Sequence, residues 1–396
     1  MKPNVNRFHN SSSLPDTAEV AVVGGGPAGL ATAIALANEQ IPVVVIERSN
    51  YDQPRVGEHL TPEGVGCLQQ LGLWTQQFIA QHQLCYGVRS VWGEAEIAHS
   101  DYVFHPYGCG INLSRPAFDI TLADLAQQKG AHILLQSKFR RAQREEEKWR
   151  IVLETPEGTQ NIRAKFIVDA SGRQLVLAKR QGQTAHIQDQ LIGMVCYLQT
   201  RNEANLPSED TLLLESCEFG WWYFAQLKNN RGVCLHLTDS DLLCPGKNGH
   251  QRTWHERLQS TIYFRDLLSR YHSAEKILIK SARSHCLNQI TGEGWLAVGD
   301  AAMSFDPLSS MGITKGIKSG MMAGQAIAQS FRGDRNFIIQ YEVDRTREFN
   351  QYLKMRFDYY QIENRWPSST FWKRRHKLEI TNEDRNTISL STPIFI

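Results

Sequence analysis

Glu19-Val20-Ala21-Val22-Val23-Gly24-Gly25-Gly26-Pro27-Ala28-Gly29-Leu30 reads as a buried strand, a glycine turn and the opening of a helix. Gly24, Gly26 and Gly29 stand at G-x-G-x-x-G spacing. The first permits a tight turn, the second lets backbone approach a pyrophosphate, and the third lets the helix pack closely on the strand. The helix start, which includes Ala28, offers free N–H groups and a partial positive charge to phosphates. The pattern continues with an alanine-rich helix over 31–38 and a second buried strand, Val43-Val44-Val45-Ile46, ended by Glu47 and Arg48. A carboxylate at that strand end can accept hydrogen bonds from ribose hydroxyls. A glycine triplet alone is weak evidence, but in a complete strand–helix–strand frame closed by an acid it specifies a dinucleotide site. This unit does not say which dinucleotide.

The bulk numbers narrow the class. The 396 residues suffice for two or three domains with a sizeable core. A content of 41% hydrophobic and 21% charged residues is that of an ordinary globular chain. A formal charge of +2 gives no electrostatic case for nucleic acid. No apolar run is long enough to span a bilayer. Residues 1–16 are polar, lack a signal-peptide core and read as a loose tail. The eight cysteines form no C-x-x-C pair, so no metal site is expected, and reduced thiols in a cytoplasmic protein are the default.

Beyond Glu47 the sequence predicts a loop, Arg55-Val56-Gly57-Glu58-His59-Leu60, then helices over 62–71 and 117–129. A hairpin follows around Pro156-Glu157-Gly158, running into Asp169-Ala170-Ser171-Gly172-Arg173. Short alternating runs between 190 and 237 predict an antiparallel sheet. Residues 253–271 have helical periodicity. A buried strand, Trp295-Leu296-Ala297-Val298, leads to Gly299-Asp300, and long helices are expected over 312–331 and through most of 337–377.

Gly299-Asp300-Ala301-Ala302, with Asp306-Pro307 and the helix after it, resembles the second fingerprint of the FAD-dependent hydroxylase and halogenase superfamily. The resemblance implies that Asp300 holds the ribityl and pyrophosphate region and that Ser310, Met311 and Gly312 point backbone N–H groups at the flavin ring. A helix N-terminus favours the anionic reduced ring by about 0.3–1 kcal/mol, more when buried. Pro307 would stiffen the loop at the face where oxygen reacts. Asp169 to Gly172 looks like the middle signature of the same superfamily, and Arg115 resembles its arginine near the flavin phosphates. The fold expected is α/β. A Rossmann-like FAD-binding domain of hydroxylase type spans 17–84, 111–180 and 285–335. An antiparallel-sheet substrate domain is inserted as 85–110 and 181–284, and a helical C-terminal segment covers 336–396.

No second glycine fingerprint appears, so NAD(P)H would visit transiently or reduced flavin would come from elsewhere. The chemistry then lies with the flavin, and the protein supplies position and electrostatics. Flavin-dependent halogenases carry a W-x-W-x-I-P motif and a lysine that handles hypohalous acid. Here Gly220-Trp221-Trp222-Tyr223-Phe224 keeps only the first tryptophan, and no lysine occurs between Lys2 and Lys129, where that family places its own. Trp221, Trp222 and Tyr223 are read either as sheet packing or as an aromatic wall for a substrate.

A closer resemblance is to the flavoprotein maturases of tryptophylquinone enzymes. It rests on the Arg55–Leu60 loop, on Phe305-Asp306-Pro307-Leu308-Ser309-Ser310-Met311-Gly312-Ile313, and on the aromatic and basic stretch Tyr359–Arg375. It implies oxygenation of a peptidyl tryptophan in a precursor amino-acid oxidase, of the glycine or lysine oxidase type. Glu58 and His59 are the candidates for acid–base work, since a histidine titrates near neutrality. Arg345, Arg347, Lys354, Arg356, Arg365, Lys373, Arg374, Arg375 and Lys377 predict a basic face that could steer an acidic partner. Hydroxylation of a small free aromatic and a flavin-bearing chaperone of the precursor remain as alternatives.

Overall fold

The computed structural model describes residues 15–201, 210–246, 248–273 and 276–377. Most of the predicted tail, and residues 378–396 of the C-terminal segment, lie outside them. The opening strand, Thr17–Val23, is central in the first sheet. It pairs in parallel with Val43–Ile46 on one side and Gly158–Asp169 on the other, with Val22 opposite Val45 and Val168. His132–Leu134 and Trp295–Ala297 extend the parallel array outward. Covered on both faces, the inner strands need continuous apolar runs rather than alternation.

The expected hairpin is present, with Lys148–Thr155 antiparallel to Gly158–Asp169. A third strand, Lys138–Glu145, joins it. Its sequence, KFRRAQRE, is largely polar and half exposed, so hydrophobic patterning gave no sign of it. The helical stretch expected over 253–271 is instead two helices, Gly249–Gln259 and Tyr263–Ser269. Glu215 accepts hydrogen bonds from the backbone N–H groups of Ile262, Tyr263 and Phe264 and so caps the second.

The helices Pro27–Asn38 and Gly312–Phe331 pack backbone to backbone. Gly316, Gly320 and Gly324 recur every fourth residue on the facing side. A Cβ at Gly320 would lie 2.2 Å from the Ala28 carbonyl oxygen, and one at Gly324 would lie 2.5 Å from Ala35 Cβ. This contact carries the heads of the two helices to one place.

The second sheet runs Tyr271–Ser273, Leu191–Thr200, Arg231–Asp239, Gly220–Leu227, Leu212–Cys217, Gly87–Val91, Ala98–Asp101. It is antiparallel except where Leu212–Cys217 meets Gly87–Val91. The helix Asn336–Ile362, about 40 Å long at 1.5 Å per residue, spans both sheets. Near its start Tyr341 donates to the Ala297 carbonyl. Near its end Trp92 donates to the Tyr359 carbonyl, and Trp221 to the Tyr360 hydroxyl.

Candidate cofactor and active site

The glycine turn is built as its spacing requires. Gly24 has φ +115°, and a Cβ there would lie 2.3 Å from the Ala170 carbonyl oxygen. At Gly29 it would lie 2.0 Å from the Gly24 oxygen, whereas at Gly26, which caps the helix, it would meet nothing within 4 Å. The open side of the turn is therefore the side where a phosphate must approach. Glu47 is buried and braces this turn, accepting from the Gly25 N–H at 2.8 Å through Oε2. Its Oε1 takes Ser49 N–H, Ser49 Oγ and Arg55, which leaves Oε2 the oxygen with capacity for a ribose hydroxyl. Arg48 is exposed and donates to Gln174 across the groove.

The second fingerprint comes to the first through Ala28. A Cβ on Gly299 would lie 2.7 Å from Ala28 Cβ, and one on Gly316 would lie 3.7 Å from it. Asp300 follows, with its side chain 30% exposed. Its carboxylate is held by Lys315 Nζ at 2.8 Å and Arg173 Nε at 3.3 Å. Burial opposes its ionisation, but Lys315 and Arg173 prevail and bring its pKa down to about 2. Arg173 also donates to Ser304 Oγ and to the Phe305 carbonyl, tying the Asp169–Arg173 turn to this strand end. Asp169 is fully buried and accepts from Ser171, Leu177 and Ala178, so it organises the turn and does not face the groove.

At the head of the Gly312–Phe331 helix, the expected trio of N–H donors is reduced. Ser310 N–H is taken by the Pro307 carbonyl and Met311 N–H by Ser309 Oγ. Gly312 N–H has no partner among the described residues, and the space at its Cβ position is open. Pro307 opens a short 3₁₀ turn capped by Asp306, whose carboxylate accepts from Leu308 N–H and from the Tyr360 hydroxyl. Phe305 stacks on Tyr352 at 4.0 Å, and the Tyr352 hydroxyl accepts from Asp306 N–H. The loop is thus held from behind by the long C-terminal helix.

The Arg55–Leu60 loop supplies the acid–base groups. Arg115 donates to the Val56 and Gly57 carbonyls while pairing with buried Asp119, so its head fixes this loop. Glu58 is 3% exposed and accepts from Tyr197 Oη at 3.0 Å and from Gly57 N–H at 2.9 Å. Burial raises its pKa to about 7, against the lowering effects of Arg115, Tyr197 and Gly57. Glu58, Arg115 and Tyr197 line a common cleft with Arg55, Leu227 and Lys228. His59 corrects the expectation of near-neutral titration. Burial lowers its pKa to about 4. Its Nδ1 donates to Asn112 Oδ1, whose amide nitrogen is committed to the Gln226 carbonyl. His59 is therefore a neutral imidazole of fixed tautomer that holds the loop.

The aromatic wall is also corrected. Strand neighbours point to opposite faces. Trp222 turns away from the cleft, stacking on His236 and meeting Trp254 edge-on beneath the Gly249–Gln259 helix. Trp221 is fully buried behind Trp92, Tyr360 and Trp372. Of the three, Tyr223 alone lies against the His59 backbone, close to Glu58. Among residues that the sequence reading missed, Lys315 and Arg173 had a usable signal, since both sit within or just beyond quoted motifs. Tyr197 and Asn112 had none: Tyr197 is one aromatic in the long, mostly apolar strand Leu191–Thr200, and Asn112 ends a three-residue strand.

Two helix heads with open approach, a strand-end carboxylate at each fingerprint and a glycine turn free on one side fit an FAD stretched between them. The chain belongs to the FAD binding domain family, whose match covers residues 17–355. It is an FAD-dependent oxidoreductase with halogenase and monooxygenase relatives. It is 31% identical over 365 residues to LodB of Marinomonas mediterranea, named as an FAD-dependent oxidoreductase; the match covers 90% of this chain and 96% of LodB. Its fold matches the myxobacterial chondrochloren halogenase CndH with a TM-score of 0.85 at 23% identity, over 93% of this chain and 88% of the other. It also matches the peptidyl tryptophan dihydroxylase QhpG, with a TM-score of 0.69 at 23% identity, over 91% and 78%. No helix among the described residues is long and apolar enough to cross a membrane.

Proposed function

We propose that this protein is an FAD-dependent monooxygenase that hydroxylates a tryptophan within a precursor protein during tryptophylquinone cofactor biogenesis. The observation that carries this reading is the Phe305–Ile313 segment. It has the form of the maturase resemblance, and it stands at the head of the helix that would face the flavin, near the Glu58 loop. LodB's similarity over nearly its whole length supports the FAD-dependent oxidoreductase part of this reading, and the structural neighbour QhpG, a peptidyl tryptophan dihydroxylase essential for tryptophylquinone cofactor biogenesis, suggests the substrate. Against halogenation stands the absence of any lysine between Lys2 and Lys129.

FAD, when bound and reduced by an external two-electron donor such as NAD(P)H, would supply the activation of dioxygen, one atom going to an electron-rich ring and the other leaving as water. The chain does the rest. Gly312 N–H and the helix end favour negative charge on the ring. Asp300 would hold the ribityl and pyrophosphate region of the cofactor, and Glu47 the ribose of its adenosine. Glu58, poised near neutrality, accepts the proton that an indole carbon loses on hydroxylation.

Co-expression with a precursor amino-acid oxidase tests the proposal by mass spectrometry. Oxygen should appear on the precursor tryptophan only when this protein is present. Turnover of free indoles without a partner, leaving the precursor unmodified, would overturn it in favour of the small-aromatic reading. Asp300→Ala should abolish bound flavin and maturation together. Maturation that survives flavin loss would point to the chaperone.

A further inference from the structure

Lys315 is a lysine whose side chain has no exposure, three residues into the helix that would face the flavin. A buried ammonium is costly unless it is paired and hydrogen-bonded. Here it meets Asp300 Oδ1 and the Met303 carbonyl, and it lies 4.4 Å from the centre of the Phe305 ring. Its direct partners lie along the second fingerprint, with His285 and Cys286 of the neighbouring strand close by. Asp300, unlike Lys315, is partly open to the groove. The lysine therefore stands behind the carboxylate, on the side away from the cofactor.

We propose that Lys315 is the positioning residue of the cofactor groove, holding the Asp300 carboxylate ionised and oriented so that its outward lone pairs meet the hydroxyls of FAD. It acts through Asp300 and does not touch the cofactor. Three groups face Asp300 from the packed elements: Lys315, Arg173 and His285. His285 is kept neutral, chiefly by burial, with its pKa near 4. Without Lys315, Arg173 is the cation left on the carboxylate among the described residues. Asp300 would swing toward it and would take up a proton at higher pH. This inference needs FAD as the cofactor and is independent of which aromatic the enzyme oxidises.

The test is FAD affinity of the full chain, read from flavin fluorescence at pH 8 and pH 5, in a cycle of Lys315→Met and Asp300→Asn. Lys315→Met should weaken binding tenfold or more at pH 8, and further at pH 5, relative to the unaltered protein at each pH. In the Asp300→Asn background the same lysine change should alter affinity less than twofold. A Lys315→Met variant within twofold of the unaltered protein at both pH values would overturn the proposal. An equal loss in both backgrounds would also overturn it, since the lysine would then act without Asp300. Should Lys315→Met alone not fold, Asp300→Asn is compared with the double variant, in which neither charge is buried. Equal FAD affinity supports the inference, and weaker binding by the double variant overturns it.

Discussion

At the scale of single residues, adjacent Glu58 and His59 have opposite fates for one reason. Burial penalises whichever form is charged, so the carboxyl pKa rises and the imidazole pKa falls. Glu58 is left as the group that changes charge near neutrality. Its folded pKa of about 7 exceeds its unfolded value, so ionising it costs stability. The cost is absent below the unfolded pKa, grows between about pH 4.5 and 7, and is then constant at roughly 3 kcal/mol. Glu58→Gln should therefore flatten the decline in melting temperature over that interval and remove an ionisation near pH 7 from the activity profile. Tyr197→Phe should move that ionisation upward, because the tyrosine hydrogen bond lowers it. A profile unchanged in both variants would show that Glu58 takes no part.

At the scale of elements, the junction of the two fingerprints depends on the contact between the Pro27–Asn38 and Gly312–Phe331 helices. Gly320→Ala places a methyl 2.2 Å from the Ala28 carbonyl oxygen, at backbone that cannot yield independently. Overpacking of this kind costs about 1–3 kcal/mol. The variant should melt several degrees lower and hold FAD less tightly, because Ala28 and Gly299 share the same junction. The elements were legible in uneven measure. The glycine turn, Val43–Ile46 and the Gly312–Phe331 helix carried strong local signals, because inner parallel strands and glycine turns tolerate few residue types. Lys138–Glu145 and Ala98–Asp101 carried almost none, since exposed edge strands pair through backbone rather than apolar side chains. Lys315 stood out beside its motif, but its pairing with Asp300 could not be read, since it needs the helix to turn back on its own loop.

At the scale of the whole molecule, the arginines of the basic face expected of the C-terminal segment are paired with carboxylates. Arg374 pairs with Asp239 and Asp241, and Arg375 with Asp239. Arg365 pairs with Glu363, Arg356 with Asp189, Arg345 with Glu348 and Arg347 with Asp344. Counting arginines along a sequence cannot show where distant carboxylates will fold, and Asp239 lies on the second sheet. Association with the proposed precursor should accordingly depend weakly on ionic strength, which stopped-flow binding at low and high salt would measure. A steep salt dependence would restore the steering role.

Tyr352 and Tyr360 have a consequence for biosynthesis. They clasp Phe305 and Asp306, yet the ribosome reaches them some fifty codons later. Nascent chains arrested before Tyr352 should stay colourless, and the yellow of captured flavin should first emerge once Tyr360 has cleared the exit tunnel.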